Sequence, residues 1–259
     1  MDLQILSTAL LDAYLEKTPR DLLQRFSALE DAEISTPEFS FYTSVASVFS
    51  SKIEGECMEL DSYVKHKKYG LSFQPDYTKK IDDLYTAYIF AQNNVLNEAN
   101  TKVAHQHLSK HLITADWQGQ YRNQNMYVTT DDGKIEYVAA EPHEVKNEVS
   151  YFFSDVETLL NRNLSLQEVF YFSAMIHLVF VKIHPWADGN GRSARLLEKW
   201  FMAEKLGAKA WFLQSEKMYY NNHQTYYVNL RRLGLEYSQL DYSKALPFLL
   251  MLPNTLNHQ

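Results

Sequence analysis

Little in this chain breaks or staples the backbone. Eight glycines and seven prolines among 259 residues exclude collagen-like and linker-rich architectures and disfavour many-turned sandwiches and propellers. The single cysteine, Cys57, allows no intrachain disulfide and no cysteine-based zinc cluster, and suits a reducing compartment. No run approaches about 18 uncharged apolar residues, so no membrane span is expected; the most apolar stretch, 169–183, is interrupted by Ser173, His177 and Lys182. The first turns carry Asp2, Asp12 and Glu16 among leucines, without the basic start and apolar run of a secretory leader. The cytoplasm is the expected compartment. Positive charge is also short. Against 32 Asp and Glu stand 25 Lys and Arg, a net charge of -7 with a pI of about 5.7, so no broad nucleic-acid surface is expected.

What is present is a core. Apolar residues make up 46% and charged residues 22%, close to globular averages, and the length suits one large domain or one domain with an extension. Helical periodicity dominates. Leu3, Ile5, Leu6, Leu10, Leu11 and Leu15 predict a first helix, and 21–29 a second after Pro19. Val45, Val48, Phe49 and Ile53 predict a helix over about 39–58 that ends near Gly55. The basic run 65–68 (KHKK) reads as a solvated helix end or loop. Further helices are expected over 76–97, 102–113 and 143–161. Ser165 with Glu168 forms a capping box that starts a long helix, and another follows to about Leu206 with Gly207 as its stop. The tail, 219–252, reads as helical with breaks near Gly234 and Pro247. In the middle, 126–129 and 135–138 flank Asp131, Asp132 and Gly133, a β-hairpin signal. The expected fold class is all-α with one small hairpin.

Between the two long helices runs His184-Pro185-Trp186-Ala187-Asp188-Gly189-Asn190-Gly191-Arg192-Ser193-Ala194-Arg195. Two of the eight glycines fall here, at a helix N-terminus, where N–H groups and the helix dipole favour anions. Arg192 and Arg195 are spaced i, i+3 and share a face. Two guanidiniums and a backbone nest point to a polyphosphate. Asp188 beside such an anion suits a bridging Mg²⁺, and His184 is placed to act as a general base.

The string resembles the motif of Fic-domain proteins, HxFx(D/E)GNGRxxR, with Trp186 in place of the usual Phe. The resemblance covers about 37–250 and implies a helical core with a hairpin flap. It implies transfer of AMP from ATP to a Ser, Thr or Tyr hydroxyl of a protein, possible self-modification, and release of pyrophosphate. On it, His184 is the base, Asp188 the Mg²⁺ ligand, and Gly189, Asn190 and Gly191 the anion hole, with the Asn190 side chain on phosphate. Arg192 and Arg195 fall on the β- and γ-phosphates. Met126, Tyr127, Val128 and Thr129 start the flap, and Tyr226 and Tyr227 line the adenine pocket. The core is placed at 102–250, after an N-terminal helical region at 1–101.

A second motif lies upstream. Ser50 and Glu54, in Ser50-Ser51-Lys52-Ile53-Glu54-Gly55, are i, i+4 and resemble the family's inhibitory sequence [S/T]xxxE[G/N]. The resemblance implies that Glu54 pairs with Arg195 and withholds it from the γ-phosphate. Removal of AMP by a water that Glu54 positions, and a nucleotide-binding module without turnover, stand as alternatives. No nucleic-acid or membrane partner is expected; a homodimer is compatible. No winged-helix appendage is expected after Leu250. His105, His107 and His111 read as a solvated or partly packed face, and His177 as a satisfied core or hairpin-facing histidine. Cys57 reads as inert.

Overall fold

The structure, a computed structural model, describes residues 3–73, 75–129 and 133–257. Two short helices, α1 (Leu11–Lys17) and α2 (Leu22–Ser27), come first. The helix expected from Leu3 does not form there. The N–H groups of Gln4, Ile5 and Leu6 all donate to the buried Asp155 carboxylate, at 2.8, 2.7 and 2.9 Å. Charge-assisted bonds are roughly twice as strong as neutral ones, so this tertiary partner outweighs the leucine periodicity.

α3 (Phe41–Ile53) is capped by Ser40, whose side chain accepts from the Thr43 N–H, and stops at Gly55, with φ 91°. It packs between α5 (Pro75–Gln92) and α10 (Ser215–Asn221) and is buried on nearly every side. Small polar residues permit this. Ser44 and Ser47 return their hydroxyls to the carbonyls of Ser40 and Thr43, at 3.1 and 2.8 Å, so they meet no unpaired environment. The sequence reading missed α4 (Leu60–Tyr69), which buries only Tyr63 and Val64, too narrow a stripe for periodicity. The KHKK run forms its end. Lys65 pairs with Asp61 at the surface, while His66 and Lys67 are half-buried rather than freely solvated: both reach Asp82 of α5 at 3.0 Å and dock α4 there. α6 (Glu98–Leu108) begins earlier than expected because Asn97 caps it, accepting from Asn100 N–H at 2.8 Å.

β1 (Tyr127–Thr129) and β2 (Ile135–Val138) pair antiparallel, Val128 opposite Tyr137. The expected turn residues Asp131 and Asp132 lie outside the described residues. Then come α7 (Val145–Leu160), α8 (Leu166–Ile183) and α9 (Asn190–Leu206). The Ser165–Glu168 capping box forms in both directions. By length and composition alone α8 could cross a membrane, but here it is the buried middle of the core. After α10, α11 (His223–Arg231), α12 (Leu246–Leu249) and α13 (Met251–Asn254) close the chain. Pro247 sits in the first turn of α12 rather than breaking a helix. The fold is thus helical with one small antiparallel hairpin. One apolar cluster runs from Leu6 to Leu256 and takes in Ala46 and Ile53 of α3. A smaller one, under α3, α4 and α5, holds Val48, Met58, Tyr63, Ile81 and Tyr85.

Candidate active site

The site is built where α8 ends. His184 caps that helix in the left-handed conformation, φ 54° and ψ 57°, the one such non-glycine among the described residues. A non-glycine residue there costs of order 1–2 kcal/mol. The turn swings the imidazole out of the helix and into a cavity. His184 Nδ1 bonds the Val181 carbonyl at 3.0 Å, so Nδ1 carries the proton and Nε2 is left as the acceptor. Burial lowers the pKa of this imidazole below the usual histidine value. The Val181 bond opposes that and the Arg122 charge adds to it.

The loop after His184 is held rigid from within. Asn190 brackets Trp186, its Oδ1 accepting from the Trp186 N–H (2.8 Å) and its Nδ2 donating to the Trp186 carbonyl (2.9 Å). The side chain expected on phosphate therefore closes the loop in this structure. Trp186 is fully buried between His105 and Tyr121, stacked at 4.2 and 4.8 Å between ring centroids. His105 is thus no solvated face. Its Nδ1 accepts from Gly119 N–H (2.9 Å), leaving Nε2 to donate to the Asp188 carbonyl (3.0 Å). Burial pushes its pKa down to about 4, so it stays neutral. Gly189, at φ 79°, admits no side chain: a Cβ would lie 2.8 Å from Leu108 Cδ1. Asp188 is exposed, with Oδ1 on the Gly189 N–H at 2.6 Å.

Arg195 is buried, and four of the five N–H donors of its guanidinium are engaged. Nε donates to Ser50 Oγ (2.8 Å), Nη1 to Tyr226 OH (3.4 Å), and Nη2 to the Ser50 carbonyl (3.0 Å) and Glu54 Oε1 (2.6 Å). The Glu54–Arg195 contact joins the end of α3 to the second turn of α9, and a Cβ on Gly191 would collide with the Glu54 carboxylate. Burial alone would raise the Glu54 pKa; Arg195 and Arg192 outweigh it and hold the carboxyl below its ordinary range. Arg192 is also buried. Its Nη2 lies 3.7 Å from Glu56, which Lys80 holds at 2.8 Å, and its Nε has no hydrogen-bond partner.

A cavity of about 200 Å³ opens beside these groups, lined by Glu54, His184, Gly191, Arg195, Tyr226 and Tyr227, with Val128 and Tyr137 of the hairpin facing them. Met126 precedes β1 and gives its carbonyl to the Ala139 N–H; Tyr127 and Thr129 point to solvent. Tyr226 is buried by its ties to Arg195 and His177. His177 continues inward to Glu198 (2.8 Å), so it is the satisfied core histidine and does not face the hairpin. His107 packs on Phe90, and His111 Nδ1 lies 2.7 Å from Asp83. Among the described residues no group of three or more His, Cys, Asp or Glu could hold a metal.

Sequence reasoning missed several members. Lys182, in the wall of the cavity, lies 3.9 Å over the Tyr137 ring, and burial lowers its pKa to about 8. Arg231 pairs with Glu136 at 2.8 Å on the cavity wall. Glu56 and Arg122 were equally silent. None lies in a motif; each is recruited by tertiary approach alone.

Residues 95–202 match the model of the Fic/DOC family. A protein adenylyltransferase Fic of Nematostella vectensis is 32% identical over 79 residues, which is 30% of this chain and 16% of that relative's length. A Fic family protein from Desulfovibrio desulfuricans has a similar structure, with a TM-score of 0.73 at 20% identity, over 99% of this chain and 74% of that one. A Fic-domain-containing signalling protein from Bacteroides thetaiotaomicron gives 0.65 at 17%, over 95% and 91%. Fic-1 from C. elegans gives 0.64 at 16%, over 96% and 71%. At these identities the structural likeness is one of fold.

Proposed function

We propose that this chain is a Fic-domain protein that moves AMP from ATP to a hydroxyl side chain of a protein, releasing pyrophosphate, and that Glu54 restrains it. His184 Nε2 takes the proton of the attacking hydroxyl as its oxygen bonds the α-phosphorus and the bond to pyrophosphate breaks. The N-terminus of α9 and Arg192 hold the phosphates. The hairpin, with Val128 and Tyr137 on the cavity, closes over the nucleotide, and Tyr226 and Tyr227 face its base. Asp188 suits a Mg²⁺ shared with the substrate, because a lone exposed carboxylate matches an ion held by one or two carboxylates and phosphates rather than a resident cage. When bound, such an ion offsets phosphate charge.

The observation that carries the restrained state is the engagement of Arg195. With its donors on Ser50, Tyr226 and Glu54, it cannot also serve a γ-phosphate in the same geometry. Labelled ATP incubated with a lysate and the wild type, Glu54→Gly, or Glu54→Gly with His184→Ala tests the reading. Label transfer is expected to appear with the first substitution and vanish with the second. Nucleotide binding without transfer in all three would make the chain a binding module.

Arg192 supplies a further check. Its buried, unpartnered Nε suits a group awaiting an anion. A hydrogen bond to a charged group is worth about 1.5–3 kcal/mol. Calorimetry should show Arg192→Ala weakening ATP more than AMP; equal losses would move this arginine away from the β-phosphate.

A further inference from the structure

Arg122 is buried, and among the described residues its guanidinium pairs with no carboxylate. Its donors go to main-chain carbonyls instead. Nε reaches His184 O (2.7 Å), Nη2 reaches Ala140 O (2.5 Å) and Ile183 O (3.3 Å), and Nη1 reaches Gln124 O (2.8 Å). Its own N–H donates to Pro185 O at 2.9 Å, and Tyr121 forms a β-bridge with Trp186. A buried unpaired cation is normally unfavourable. Here its surroundings are unusually negative. Ile183 and His184 carry carbonyls that the end of α8 leaves without helical partners, and the helix dipole adds negative potential there. Gln124 and Ala140 are the two roots of the hairpin, one before β1 and one after β2.

We propose that Arg122 is a positioning residue of this site: its guanidinium clips the His184 main chain to both roots of the hairpin, so base and flap keep one relative placement. The inference rests on the reading of His184 as the base. It explains how a left-handed histidine is held at a helix end without glycine's freedom. Arg122 joins three segments that are also tied pairwise, the hairpin roots by Met126 O to Ala139 N–H and the hairpin to α8 by Tyr137 OH donating to Lys182 O at 2.6 Å. Among the described residues it alone bonds the His184 carbonyl and both roots together. It also places a fixed positive charge behind the imidazole, which disfavours protonation. The other groups acting on His184 are the Val181 carbonyl, Glu54 and Asp188, and all three favour protonation.

Arg122→Lys and Arg122→Gln, each made in the full chain with Glu54→Gly, separate geometry from charge. A lysine keeps the charge but cannot reach four carbonyls. Loss of alignment at a reacting centre can cost on the order of 10²-fold in rate. We expect Arg122→Lys to lose about that much kcat with little change in KM for ATP, while its His184 ring signals titrate in NMR as in the parent. In Arg122→Gln the His184 titration should move to higher pH. If Arg122→Gln does not fold, Arg122→Lys alone decides. Unchanged kcat per folded molecule in Arg122→Lys, with only a lower melting temperature, would overturn the proposal and leave Arg122 a structural residue. Absence of transfer in every variant, Glu54→Gly included, would speak against adenylyl transfer. The clip is then read without turnover from Arg122→Lys: the backbone NMR signals of His184, Gln124 and Ala140 should move together if the guanidinium holds them, and unchanged signals would overturn it.

Discussion

His184→Ala is expected to remove nearly all AMP transfer while leaving ATP bound. The loss of a general base typically costs ~10²–10⁴-fold in rate, and nothing else on the cavity wall replaces this one. Lys182 is the other basic group with a lowered pKa there, about 8, but its ammonium lies over Tyr137 and is mostly protonated at neutral pH. The loop proposed to face phosphate does not depend on the imidazole. It is held by the Asn190 bracket, the His105 bond and the Trp186 stack. Binding and chemistry should therefore separate. His184→Gly sharpens the test, because glycine accepts the left-handed backbone without strain. It forfeits the Val181 bond, a similar amount of roughly 0.5–1.5 kcal/mol. The glycine variant should thus fold about as well as the wild type and remain inactive. Since His184 titrates below its usual value, kcat/KM should hold at neutral pH and fall only as pH drops through that lowered pKa. Wild-type rates in either variant would reject the assigned base.

Glu54→Gly is expected to raise adenylylation on the order of 100-fold. Breaking a fully buried ion pair costs about 3–5 kcal/mol; here Arg195 is buried while the Glu54 side chain is 30% exposed. At the low end, suited to a carboxylate with some solvent access, fewer than ~1% of molecules would hold Arg195 on phosphate. Removing the carboxylate returns the others. Because Glu54 caps α3 and glycine loosens helix ends, Glu54→Ala belongs in the same assay. The measurement is AMP incorporation at saturating Mg-ATP, with circular dichroism for folding. Unchanged incorporation in both variants would remove the restraint and favour removal of AMP as the task of Glu54. The sign of the pH effect is opposite to that of a histidine switch. A carboxyl with a lowered pKa keeps its pair at every pH above the ordinary carboxylate range and loses it only in stronger acid. Mild acidification should leave the restraint in place.

How far this could be read from residues alone depended on whether a feature was local. The capping box at Ser165 needs only four consecutive residues and formed as read. The loop from His184 to Arg195 is contiguous, so its chemistry lay in one string. Ser50 and Glu54 could be paired with Arg195 only through the family resemblance, since nothing local joins positions 141 residues apart. Where a tertiary partner overrode the pattern, the reading failed. Asp155 captured the amides of residues 4–6, and Asp82 captured His66 and Lys67. His105 looked like one of three similar histidines, and only the approach of Trp186 and Asp188 sets it apart. Arg122 had no signal, because its partners are carbonyls, which every residue carries.

The burial of α3 on nearly every side limits what relief of the proposed restraint can look like. A helix with Ala46 and Ile53 in the main core and Val48 in the second cannot leave without opening the whole molecule. Its amides should exchange with deuterium only at the rate of global unfolding, in the wild type and in Glu54→Gly alike. Faster exchange along the α3 amides of the variant would instead indicate that the helix departs as a unit. If exchange stays slow, activation is a side-chain event. Rotation about the Glu54 side chain, on the ps–ns scale of exposed rotamers once its pair is broken, is then enough to free Arg195. An activator need not displace a helix. It has only to compete for one carboxylate at the end of α3.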